Sequence, residues 1–392
     1  MIDQFFSDPL TLHRLRFGPL GDHIDAFAQV LSAQGYTWLT TREKIRAVAG
    51  LSRWLRRRGL GVEALDEQSI SGFLRYGRRR GLCRCHTSHT LQGLLTHLRD
   101  GGIVRNVASV EKSALYDVEK DFAQYLRQER GVIQATAENY LRTTRRFLSA
   151  CFGNGPLALN ELDPKQVVRF MVRRSEGMSP RSLQLMAIAL RSFFRFLYQR
   201  GDLVRDLAAS IPKVANWRLS ELPKFLEPEN IERLLKACPQ DTPLGQRDHA
   251  ILLLLARLGL RPGEVVHLEL DDIDWERGEI SVRGKSARHD RLPIPQDVGE
   301  AVARYLGRVR PRCPSRRVFL RMRAPRQGVA CSTTIGEVVK RALARAGLPH
   351  SKGSYLLRHG LATRMLRGGA TLAEIGEILR HEFPSTTEIW LC

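Results

Sequence analysis

The chain has 392 residues, 43% of them hydrophobic, which is room for two or three domains that each bury a core. Its 62 lysines and arginines outnumber 41 acidic residues to give a formal charge of +21, mostly on arginine, and this favours a polyanionic partner over a neutral or acidic one. Seven scattered cysteines suit a reducing cytosol rather than a secreted disulfide framework, and the longest apolar run, "AILLLLA", is broken by Arg257, so neither a membrane span nor a signal peptide is expected.

The first two hundred residues read as helices with short polar links. "ALYDVEKDFAQYLRQERG" sets Leu115, Val118, Phe122, Tyr125 and Leu126 at helical spacing, and "TAENYLRTTRRFLSACFG" repeats the pattern through Tyr140, Leu141, Phe147 and Leu148. Asp163 then Pro164, and Ser179 then Pro180, each read as an N-cap followed by a first-turn proline; the second helix closes at Gly201. An internal echo runs through this half. "LDEQSISGFLRYGRRRG" resembles "LDPKQVVRFMVRRSEG", with Phe73 and Phe170 97 positions apart, and Trp54 in "LSRWLRRRG" echoes Phe147 in "TRRFLSACFG". Residues 1–108 and 113–205 therefore read as two tandem helical units of one type. A proline-bearing linker, 206–224, separates them from residues 225–392, with Pro212, Pro223 and Pro228 marking the loss of periodicity around it.

The last part changes character. "IERLLKAC" and "QRDHAILLLLARLG" predict helices, the second closing at Gly259. "GEISVRG" and "DRLPIP" predict two strands, Glu279–Val282 and Arg291–Ile294, around a polar turn, and helices are expected from Val298 to the end. The fold class expected is multidomain: all-α N-terminal units followed by an α+β domain, mostly helical with a small sheet.

Four polar residues of this last part form a set. Arg261 sits between a helix end and a helix start, with Glu264 placed to buttress it; Lys285 lies at the tip of the hairpin; Arg358 heads a helix with a small-residue face at Gly360 and Ala362; His381 follows a helix. Two arginines, a lysine and a histidine would suit a phosphorane with developing negative charge, the arginines on nonbridging oxygens and the lysine donating a proton to the leaving 5′ oxygen. No clustered acidic ligands stand ready for a two-metal site, so no metal or other cofactor is expected.

The segments "LGLRPGEVVHLELDDID", "VRGK", "YLLRHGLATRML" and "LRHEFPSTTEIW" stand in an order that resembles the catalytic domain of the tyrosine recombinases, the phage-integrase family. Residues 113–205 resemble that family's helical, SAM-like core-binding domain, which embraces DNA. The resemblance implies a site-specific recombinase that cuts and rejoins double-stranded DNA through a 3′-phosphotyrosine. It implies a tetramer on DNA, or association with a related recombinase, and a bacterial, cytoplasmic and nucleoid-associated protein. It assigns Arg261 and Arg358 as the catalytic arginines, Lys285 as the hairpin lysine and His381 as the last histidine.

Two positions depart from the pattern. Tyr355 stands where the family usually has a histidine, three residues before the second arginine; it can hydrogen-bond but is a poor base near neutral pH. Trp390, nine residues after His381 and following Thr386 and Thr387, stands where the family has its nucleophilic tyrosine, and indole carries no hydroxyl. Only Leu391 and Cys392 follow it, and a chain-end thiol is a poorly placed substitute. A truncated or frameshifted recombinase and a selected non-catalytic protein that occupies recombination sites both fit the sequence. A separate cluster, "CRCHTSH", holds Cys83, Cys85, His86 and His89 too close together to surround one zinc ion, and reads instead as a link between helices.

Overall fold

A computed structural model describes residues 1–81, 87–105, 114–153, 155–215, 225–284, 289–349 and 353–381. Two units emerge, one of residues 107–221 and one in which 1–106 join 222–392. Lys285, Trp390 and Cys392, together with Cys83, Cys85, His86 and linker residues 216–224, lie outside the described residues.

Residues 1–105 fold through five helices, and side-chain caps set most of their starts. Asp8 accepts from the Leu10 and Thr11 amides to open α1 (Pro9–Arg16); α2 is Ile24–Ala33. Thr37 caps α3 (Trp38–Arg57), Asp66 caps α4 (Glu67–Arg79), and α5 is Thr87–Asp100, which carries His89. The apolar stripes of α2, α3 and α5 meet in a core of Ile24, Ile45, Leu51, Leu55, Leu91 and Leu94. Trp54 of α3 meets Phe73 of α4 edge to face, centroids 6.0 Å apart.

The 107–221 unit has α6 (Ala114–Gln128), α7 (Gln134–Phe152), α8 (Pro164–Ser175) and α9 (Pro180–Arg200). Asp163 caps α8 in a reciprocal box with Gln166, Ser179 caps α9, and Gly201 closes α9 at φ +85°, where a side chain would be strained. Its core is aromatic: Phe147 meets Phe170 and Phe194 edge to face, each at 5.3 Å. Such pairs add about 0.5–1.5 kcal/mol each beyond burial.

Residues 225–381 begin with α10 (Pro228–Lys236) and α11 (Pro243–Arg257), followed by α12 (Pro262–His267). Every side chain from Ala250 to Ala256 is buried, so this stretch of α11 is apolar all round and runs through the core. Strands β1 (Ile273–Asp274), β2 (Glu279–Arg283) and β3 (His289–Pro293) form an antiparallel sheet in that order, with Ile280 opposite Leu292. Helices α13 (Gln296–Arg304), α14 (Ser332–Arg345), α15 (Tyr355–Arg367) and α16 (Leu372–Ile378) complete it. This is the mostly helical α+β arrangement expected. Two expectations need correction. The hairpin has a third strand, too short for alternation to reveal. Helices do not run unbroken from Val298: residues 310–331 are irregular and pair only in isolated bridges, Glu269 with Arg317 and Leu320 with Gly328. Pro311, Pro314 and Pro325 withhold backbone donors there, and Arg310 donates instead to the carbonyls of Ser315, Arg317 and Val318. No described helix is long and apolar enough to cross a membrane.

Candidate phosphate-binding site

The end of α11 sets the site. Gly259 turns the chain at φ +59°, and a Cβ there would come within 2.8 Å of Leu379 and 2.9 Å of Leu361, so glycine lets the α11 end and the α15–α16 pair close on each other. Two residues on, Arg261 precedes Pro262 at the start of α12. The Glu264 carboxylate accepts from the Arg261 amide and from its guanidinium, both at 2.7 Å. Arg261 also donates to the Arg380 carbonyl at 2.8 Å, which ties α12 to the turn after α16.

Arg358, on the first turn of α15, is 5% exposed. Its guanidinium donates to the carbonyls of Gly259 and Leu379, which come from two distant parts of the chain. The small face read in α15 has a packing cause: a Cβ on Gly360 would meet Ile231 and the Leu226 carbonyl, each at 2.8 Å. Tyr355 heads the same helix, 56% exposed, its ring 6.2 Å from that of His359.

A third guanidinium was not anticipated. Arg380 adopts φ +55°, the left-handed region that disfavours side chains, and this turns its side chain inward. That side chain is 5% exposed and pairs with Glu264 at 2.9 Å. Among the described residues, Arg261 and Arg380 thus share the Glu264 carboxylate while Arg358 holds only backbone carbonyls, leaving two positive charges in excess in a largely buried space. The cost is visible. Burial first, then Arg261 and Arg380, push the Arg358 guanidinium down to about 9, against the pull of Glu264 and Tyr355. Burial, then Arg358, Arg261 and Arg380 with His359, push the His381 imidazole down to about 4. Arg358 therefore stays charged and His381 neutral at pH 7. An anion bound here would relieve both, which is the arrangement a phosphate needs. The sequence signal for Arg380 was its basic neighbour position beside His381; its inward turn depends on a backbone angle that spacing does not reveal.

Replacing Arg380 with glycine tests this charge balance. Glycine suits the φ, and the substitution removes one of the cations that depress His381. The imidazole should then titrate above 4 in a side-chain NMR titration, while burial, Arg358 and Arg261 still hold it below its ordinary value of about 6.5. The sign for stability follows. A depressed imidazole means the unfolded chain takes up its proton first, so stability is full above about pH 6.5 and falls as pH drops toward 4. The variant should lose less stability across that window. An unchanged His381 titration would detach Arg380 from the site.

The structure brings Arg261, Arg358 and His381 together and places Tyr355 beside them at the head of α15. β2 ends at Arg283 and β3 begins at His289; Lys285, between them in sequence, lies outside the described residues.

The family model described as "Phage integrase family" matches residues 224–391, and that for "Phage integrase, N-terminal SAM-like domain" matches 120–201. Among curated relatives, the putative integrase/recombinase y4rA of Sinorhizobium fredii is 41% identical over 389 residues, spanning 98% of this chain and 94% of its own. Tyrosine recombinase XerD of Listeria monocytogenes is 33% identical over 281 residues, 70% of this chain and 93% of its own. Among solved structures, the post-cleavage complex of XerH on palindromic difH superposes with TM-score 0.53 at 19% identity, covering 69% of this chain and 80% of that one. The lambda integrase (75–356) dimer on a COC′ core site gives 0.52 at 16%, covering 70% and 94%. The chain belongs to the phage-integrase family, the site-specific tyrosine recombinases.

Proposed function

We propose that this protein binds recombination sites in double-stranded DNA and holds the phosphate to be cut between Arg261 and Arg358, with His381 hydrogen-bonded to it. The observation that supports this is the excess of guanidinium charge around Glu264 among the described residues, which a bound anion would offset. Residues 225–392 are the catalytic domain and 113–205 the core-binding unit, joined by the linker 206–224. Two protomers occupy each site and four assemble in the synapse, or this chain pairs with a related recombinase.

In the reaction, a tyrosine hydroxyl releases its proton to solvent as its oxygen attacks phosphorus, the bond from phosphorus to the 5′ oxygen breaks, and Lys285 gives that oxygen its proton; no metal or nucleotide is consumed. Tyr355 adds a hydrogen bond rather than a base. Trp390 stands at the attacking position and supplies no oxygen, so the chain engages its site and stops before the covalent step. That observation also favours the second reading, a non-catalytic occupant of recombination sites.

The test starts from a binding site enriched out of a randomised duplex library and rebuilt as a nicked suicide substrate. The expected result is a covalent protein–DNA adduct on a denaturing gel with Trp390→Tyr and none with the parent chain. An adduct with the parent would overturn the reading of Trp390. No adduct with either protein would place the fault deeper, at Tyr355 or the arginine clamp, and favour the pure binder.

A further inference from the structure

Residues 1–119 match neither family model, yet they carry two runs of three consecutive arginines, Arg56 to Arg58 and Arg78 to Arg80. We infer that the joined C-terminal ends of α3 and α4 form a second phosphate-gripping surface, which holds duplex DNA outside the tract engaged by the catalytic site. The inference rests on the DNA-binding reading above and extends it to a part of the chain with no assigned partner.

Both helices end in the same words. α3 closes on Arg56, Arg57, Arg58 and Gly59; α4 closes on Arg78, Arg79, Arg80 and Gly81, with both glycines at positive φ. The two ends are brought together by packing. Trp54 and Phe73 meet edge to face, and a Cβ on Gly72 would lie 3.3 Å from the Trp54 ring. Arg57 Nη1 donates to the Tyr76 hydroxyl at 3.4 Å. All six arginines are exposed, as are Arg53 and Arg75 one turn earlier.

Aromatic rings hold several of them in place. Arg56 lies over Phe17 at 3.7 Å, Arg58 over Trp54 at 4.4 Å and Arg80 over Tyr76 at 5.2 Å. Stacking fixes the guanidinium plane and leaves its N–H edge free for oxygen acceptors. Carboxylates do not neutralise the group: among the described residues none of the eight forms an ion pair. Elsewhere in the same unit Arg16 pairs with Asp25 and Arg99 with Glu67.

A helix C-terminus favours a cation, which would account for one arginine at each end, not for three. Nor does the fold require them. α2–α5 correspond in order to α6–α9, with Trp54 and Phe73 standing where Phe147 and Phe170 make the same edge-to-face contact. In that second unit the residues after Phe147 and Leu148 are Ser149, Ala150 and Cys151 in place of Arg56, Arg57 and Arg58. One architecture thus closes the same helix with or without arginine. Eight cations with no ion pair among the described residues repel each other at one end of a small unit, and closely spaced backbone phosphates are the partner that relieves this.

The test is a hydroxyl-radical footprint of the full chain on a long duplex that carries the enriched site at its centre. Two variants are compared, Arg56, Arg57 and Arg58 all to Gln, and Arg78, Arg79 and Arg80 all to Gln, with lysine versions as charge-retaining controls. The wild type and lysine versions should protect the core and an additional flanking tract. Each glutamine variant should lose the flanking protection, keep the core, and lower the slope of log affinity against log salt by about two to three, near 0.9 per phosphate contact. Adduct formation in the Trp390→Tyr background should be unchanged on a core-length substrate. Unchanged flanking protection and slope in the glutamine variants would overturn the inference. Equal loss at core and flank would do so too, because the surface would then belong to the core grip. Double-stranded RNA outcompeting DNA for the flanking contacts would overturn the choice of partner. A wild type that protects no DNA at all would overturn the proposed function itself.

Discussion

Arg358→Ala in the Trp390→Tyr background is expected to reduce adduct formation by at least about 10²–10³-fold, the range seen when one preorganised donor to a developing oxyanion is lost. The guanidinium is enclosed, held by the carbonyls of Gly259 and Leu379, and already carries its charge against burial and two neighbouring arginines. Such a group gains most when a phosphate arrives, because the anion offsets a cost the free protein bears. The loss should fall on the chemical step more than on total affinity, since most phosphate contacts lie elsewhere on the DNA. Arg358→Lys separates charge from geometry: an ammonium keeps the charge but cannot reach both carbonyls and a phosphate oxygen in one plane, so it should recover binding without recovering the rate. If Arg358→Ala lowered affinity uniformly along the duplex and left the rate of adduct formation intact, the arginine would be a general phosphate contact and the assignment would fail.

What the sequence reveals of this protein tracks the range of each interaction. The caps at Asp163 and Ser179, the close at Gly201 and the Arg261–Glu264 buttress lie within three or four positions of their partners, and all of them were legible. The matching of Trp54 with Phe147 and of Phe73 with Phe170 is also local to each helix, whereas the edge-to-face contact each pair makes is not. The two carbonyls that hold Arg358 lie 99 and 21 residues from it, and no local pattern announces them. β1 has two residues, shorter than one full alternation. The irregular stretch at 310–331 departs from the helix expected there, and Pro311, Pro314 and Pro325 are the local signal for it. Arg380 was visible as a basic residue, but its role depends on a left-handed backbone angle rarely taken by an arginine. The clearest element, α11, was also the least informative about the site, since its uninterrupted apolar run says only that it is buried.

That helix carries the largest expected loss of stability. Asp248 is 2% exposed; its Oδ1 accepts from Arg247 Nε at 3.0 Å and Nη2 at 2.6 Å, and its Oδ2 accepts from Arg341 of α14 at 3.0 Å. Arg247 is equally enclosed, and its remaining described acceptor is the Leu320 carbonyl at 3.1 Å. Asp248→Ala therefore leaves a guanidinium in the core with one neutral acceptor, a loss of about 3–5 kcal/mol where a buried pair is broken from one side. Asp271→Ala is the control: its pair with Arg316 is exposed, and such pairs contribute about 0–1 kcal/mol. Because the chain holds more than one unit, a single melting temperature would blur the effect, and hydrogen exchange at the α11 and α14 amides is the better measure. Protection should collapse there in Asp248→Ala and stay unchanged in the 107–221 unit. Changing Arg247 and Asp248 together to leucine and alanine should be milder than Asp248→Ala alone, because no orphaned charge remains. Equal protection in Asp248→Ala and Asp271→Ala would show that the buried network does not hold α11. Since α11 ends two residues before Gly259, that loosening should also slow adduct formation in the Trp390→Tyr background, joining the stability of the core to the placement of Arg261 and Arg358.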